Sequence, residues 1–213
     1  MNNSQRVFGL DLLRAIAIIL VVNIHGINLI SSEIVKRIYF ILFHYDGVAI
    51  FFVLSGYLIG GILLKQLNMP KENNGLFNFW FRRWFRTLPT YFLILAVVIF
   101  FNELLGFNTF NANYLEFVFF LQNIASPHSF FFKVAWSLSV EEWFYVIIPI
   151  LLFVSIRVFK AKPVTASATV GVLLVLVMIF IRAYRYYELN GAVNEGNYGI
   201  MFRSQVITSL DII

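Results

Sequence analysis

The sequence predicts an all-α polytopic transmembrane bundle of about five full spans plus the start of a sixth. Three observations carry that prediction. Hydrophobic residues fill 60% of the 213 positions and charged residues 13%, against roughly 45–50% and about 25% in soluble domains. The chain holds 25 Phe and 4 Trp, and its mean hydropathy is +0.81. The apolar residues also gather in five runs close to the ~20 helical residues that cross a hydrocarbon core of about 30 Å. The length fits one domain, 1–213, rather than two.

The first run covers residues 12–29. Asn23 and His25 interrupt it and no small-x-small cleavage pattern follows, so it is read as a retained span rather than a leader. The second, 48–64, carries Ser55, Gly56, Gly60 and Gly61, a small-residue face suited to close helix packing. The third, 84–101, starts inside an aromatic and arginine-rich cluster, and the fourth and fifth cover 140–156 and 164–181. Two shorter pieces, 38–43 and 114–124, predict interfacial or re-entrant segments. Residues 204–213 begin another apolar stretch that is too short to span. The sequence contains no long repeat and no low-complexity tract.

The net charge of +5 and pI near 9.5 come without a basic run of five or more, which argues against nucleic acid as a partner and for membrane lipid. Nine of the sixteen cations fall on the side of the N-terminus by this topology and six opposite, so the N-terminus is expected in the cytoplasm. With no Cys there is no disulfide, thiolate metal site or cysteine nucleophile. No metal is expected.

Several charged residues lie where lipid is expected. Arg14 and His25 occupy the first span, eleven residues apart. On a helix that spacing comes within ~20° of three full turns, so the two share one face about 16 Å apart. One long ligand can touch both. In the bland reading Arg14 snorkels to the headgroups, with Asp11 as its helical partner, and His25 is a hydrogen-bonded core histidine. The cluster from Phe79 to Pro89 places Arg82, Arg83 and Arg86 at one end of the third span. Like charges so placed repel unless an anion, phosphate above all, sits among them; otherwise they are a positive-inside stop in an aromatic belt. The run from Trp136 to Tyr145 brings two adjacent carboxylates, Glu141 and Glu142. One of them is expected to cap the helix that follows, or a carboxylate there polarises a histidine.

Taken together these segments resemble the acyltransferase-3 family of integral membrane acyltransferases, whose members O-acylate sugars and related hydroxyls of cell-envelope polymers. The resemblance rests on Leu10-Asp11-Leu12-Leu13-Arg14 followed by His25 after ten residues, and on the run from Gly47 through Ser55-Gly56 to Ile59. It rests further on Arg83-x-x-Arg86 with Pro89, and on Trp136-Ser137-Leu138 leading to Glu141 and Phe144-Tyr145. It implies an enzyme that transfers an acyl group, by the family's habit acetyl, from acyl-CoA (acetyl-CoA) to a hydroxyl of a cell-envelope saccharide or polysaccharide. His25 would be catalytic, as general base or transient acyl carrier, with Glu141, ranked above Glu142, placed to orient it. Arg14, Arg83 and Arg86 would bind the acyl-CoA donor. The implied place is a bacterial-type inner membrane. Family members have about ten spans, so residues 1–213 are read as a single membrane-embedded acyltransferase domain, incomplete at its C-terminus. Two rival readings remain: a transporter or channel subunit with Arg14 and His25 in an ion path, and a non-catalytic truncated remnant.

Overall fold

The computed structural model describes residues 8–43, 46–67, 75–106, 113–124, 131–189, 202 and 204–211. Those residues contain no strand. Their helices are α1 (Phe8–Gly26), α2 (Glu33–Phe43), α3 (Gly47–Leu67), α4 (Gly75–Leu104), α5 (Tyr114–Val118), α6 (Ala135–Arg157) and α7 (Pro163–Glu188), with 3-10 turns at Ile27–Leu29 and Val206–Thr208. Five of the helices, α1, α3, α4, α6 and α7, are long and apolar enough to cross a membrane. α2 has eleven residues and reaches only about 16 Å, short of a bilayer core.

The five spans match the five apolar runs, but the helices are longer. α4 begins nine residues before the expected 84, so the whole arginine cluster is helical. α6 begins at Ala135, five residues before the expected 140. Hydropathy reports the stretch that lipid surrounds, whereas the backbone needs its internal hydrogen bonds beyond that stretch as well. One consequence corrects an expectation. Glu141 and Glu142 stand in the second turn of α6 or beyond, and its first turn holds no acidic residue. Neither carboxylate caps the helix.

The chain divides into two units, Met1–Gly60 with the last two residues, and Gly61–Asp211. In the first unit Asp11 and Arg14 pair at 2.7 Å, one helical turn apart on α1. The Tyr39 hydroxyl donates to Asn23 Oδ1, tying α2 to α1. Asp46 caps α3, its Oδ1 accepting from the backbone N–H of Val48 at 3.0 Å and of Ala49 at 3.1 Å, which satisfies donors that a helix start leaves open. The tight helix contact in this unit is at Gly47. A Cβ there would lie 2.6 Å from the Ala17 carbonyl oxygen and 2.9 Å from Val21 Cγ2. Gly60 and Gly61, expected to permit close packing, have no such neighbour among the described residues. Gly47→Ala is therefore expected to cost about 1–3 kcal/mol, whereas Gly60→Ala is expected to stabilise slightly by favouring helix. Unfolding in mixed detergent micelles compares the two; equal effects would contradict the packing difference.

In the second unit two clusters form the core. Leu63, Leu152, Ala166 and Val170 join the end of α3 to α6 and α7. Tyr91, Leu95, Phe117 and Ala135 join α4, α5 and the start of α6. The turn after α5 is pinned from α6: Ser139 Oγ at 2.8 Å and Trp143 Nε1 at 2.9 Å both donate to the Phe120 carbonyl. Phe120 has φ of 57°, a left-handed conformation that a bulky residue adopts only when held. Residues 204–211 fold back by backbone bonds from Val206 to Asn123 and from Ile207 to Ile124. Arg182 secures them through the Thr208 carbonyl, at 2.8 Å, and Asp211.

α6 contains Pro149. A proline cannot donate to the carbonyl four residues back, which here is Tyr145. Trp80 Nε1 on α4 donates to that carbonyl at 2.8 Å. The side chain takes the place of the missing backbone donor, and Trp80→Phe is expected to destabilise by about 1–3 kcal/mol because the buried carbonyl loses it.

Candidate functional site

α4 and α6 face each other across a polar layer built from sequence-adjacent residues on both sides. Arg83 Nη2 donates to Glu141 Oε1 at 3.2 Å, forming an ion pair whose side chains are 19% and 18% exposed. The same Nη2 bonds the Tyr145 hydroxyl, which in turn donates to Glu141 Oε1 at 2.5 Å. The guanidinium carbon also sits 4.0 Å from the centroid of the Tyr145 ring, a cation–π arrangement that adds to the ion pair. Tyr145 is fully buried. One turn of α6 separates Glu141 from Tyr145, so both reach the same arginine.

Glu142 points elsewhere, as neighbouring helical positions must. It is 4% exposed and accepts from Trp84 Nε1 at 3.1 Å and from Thr87 Oγ1 at 3.2 Å. It lines a cavity of about 310 Å³ with Trp84, Leu88, Phe92, Phe120 and Trp143. This is an apolar space with one carboxylate on its wall. Trp80 and Trp84 stack at 6.3 Å and 12°, which fixes both indoles for their bonds to α6.

Of the residues singled out in the sequence, Arg83 and Glu141 are brought into contact. Arg86 lies one turn beyond Arg83 on α4 and is exposed. Arg14 and His25 both lie on α1 in the first unit. Arg14 is partly buried and paired with Asp11; His25 is exposed in the last turn. Sequence reasoning missed three participants: Tyr145 as the bridge, and Trp84 and Thr87 as the donors that hold Glu142. The i, i+3 spacing of Trp84 and Thr87 was a usable signal, since it sets two donors along one face of α4.

Five apolar helices, two of them joined by an ion pair, define an integral membrane protein. The chain matches the acyltransferase domain family over residues 7–202 and belongs to it. It is 32% identical over 213 residues to "Putative peptidoglycan O-acetyltransferase YrhL" of Bacillus subtilis (strain 168), with 92% of this chain and 31% of that protein covered. It is 31% identical over 177 residues to "Peptidoglycan O-acetyltransferase OatA" of Listeria monocytogenes, with 76% of this chain and 27% of that protein covered. The chain thus spans about a third of the length of these curated relatives. No solved structure matches it.

Proposed function

We propose that this chain belongs to the membrane-embedded domain of an O-acetyltransferase that passes an acetyl group from acyl-CoA (acetyl-CoA) to a hydroxyl of a cell-wall saccharide. The observation that carries the reading is the family match across residues 7–202, which takes in α1 with Arg14 and His25 as well as the charged layer of α4 and α6. Both units are assigned to one acyltransferase domain. His25 is the catalytic imidazole, as base towards the acceptor hydroxyl or as transient acyl carrier, and Glu141 is the carboxylate of the same set. Arg14 and Arg86 supply positive charge for the donor phosphates. Transfer of labelled acetyl groups from acetyl-CoA to saccharide, in membranes carrying the chain, tests the reading. Alkali-labile label on the saccharide supports it. Ion flux without any binding of acetyl-CoA would favour a transporter and defeat it.

The donor is cytosolic, and the proposed orientation has the N-terminus in the cytoplasm of a bacterial inner membrane. The chain has no Cys, so single cysteines report position cleanly. Lys162→Cys, in the turn before α7, is expected to resist an impermeant thiol reagent added to spheroplasts, while Ser31→Cys, between α1 and α2, is expected to react. The reverse pattern would invert the topology.

A further inference from the structure

The resemblance pairs Arg83 with Arg86 as donor ligands, but the two arginines are in different electrostatic states. Arg83 presents a dipole. Its Nη2 bonds both Glu141 and Tyr145, Glu141 holds an opposite charge 3.2 Å away, and its Nε is buried. A phosphate approaching such a neutralised pair meets a field that falls off faster than that of a single charge. Arg82 and Arg86 differ in every one of these respects. Both are exposed on α4, four residues apart, and neither makes a hydrogen bond or ion pair among the described residues. Like charges at that spacing destabilise a helix by themselves and favour an anion between them.

We propose that Arg82 and Arg86 form the phosphate clamp for the acyl-CoA donor, and that Arg83 is a positioning residue held by Tyr145 to orient Glu141. The assignment rests on the donor reading above and adds Arg82, which the sequence motif leaves out. Two guanidinium groups one turn apart suit two phosphate groups in series, such as those of a nucleoside diphosphate. Glu141, fixed by Arg83 and the Tyr145 hydroxyl, keeps one orientation whether or not the donor is bound.

The test is acetyl-CoA binding to the full chain in phosphatidylcholine nanodiscs, with acetyl transfer followed in parallel. Arg82→Ala and Arg86→Ala are each expected to raise the acetyl-CoA Kd about ten- to hundred-fold. Tyr145→Phe, and the double variant Arg83→Gln with Glu141→Gln, which removes both charges of the pair together, are expected to bind within about threefold of the parent. In transfer, Tyr145→Phe is expected to lower kcat with the donor KM unchanged, a split that a purely structural role would not give. The proposal is overturned if the double variant loses as much affinity as Arg86→Ala, or if Arg82→Ala binds like the parent. A lipid headgroup is the other source of phosphate. If Arg82→Ala and Arg86→Ala lose bound phosphatidylglycerol while keeping acetyl-CoA affinity, the clamp belongs to lipid and the assignment falls. If the parent itself binds no acetyl-CoA, the donor reading fails first and takes the clamp with it.

Discussion

Replacing His25 by alanine is expected to lower acetyl transfer by about 10²–10⁴-fold, the range a positioned proton-transfer group supplies, while acetyl-CoA binding stays within a few-fold of the parent. The expectation comes from the place of His25 in the chain. It lies eleven residues after Arg14 on the one helix α1 and is exposed in the last turn. An exposed side chain at a helix end contributes little to packing, so its loss should read out in turnover rather than in stability. Measuring transfer and melting temperature on the same preparation separates the two. Full turnover in His25→Ala, or a large loss of stability, would return His25 to a structural role.

The largest stability effect is expected at Arg83. Arg83→Ala leaves Glu141 without its counter-charge between two spans, and breaking one side of such a pair costs about 3–5 kcal/mol when fully buried. With side chains 19% and 18% exposed, the lower end of that range is expected, about 3 kcal/mol. Removing both charges should restore much of the loss, because no uncompensated ion remains. A double-mutant cycle on Arg83→Ala and Glu141→Ala, measured by unfolding in mixed micelles, checks this. Simple addition of the two single losses would show that the pair is not coupled.

The spans were legible because a bilayer sets a length that hydropathy can find. Their ends were not. The charged start of α4, with Arg82, Arg83 and Arg86, is helical despite its polarity. The start of α6 at Ala135 turned an expected cap into a mid-helix pair of carboxylates. Local pairs were readable: Asp11 and Arg14 sit one turn apart, and the structure pairs them. The contact between Arg83 and Glu141 joins residues 58 positions apart, and no periodicity within either helix carries that information. The same holds for Gly47, whose need for a hydrogen in place of a side chain comes from the Ala17 carbonyl on another helix.

The bond from Trp80 to the Tyr145 carbonyl makes two distant positions interdependent. With alanine at 149 the backbone N–H would return and bond that carbonyl, so the indole would become redundant and Trp80 free to vary. With proline at 149, a change at Trp80 is penalised. The order of substitution therefore matters: a path that replaces Pro149 first is open, while one that replaces Trp80 first passes through a destabilised intermediate. In this pair of spans the tolerance of one helix to mutation is written in the backbone of the other.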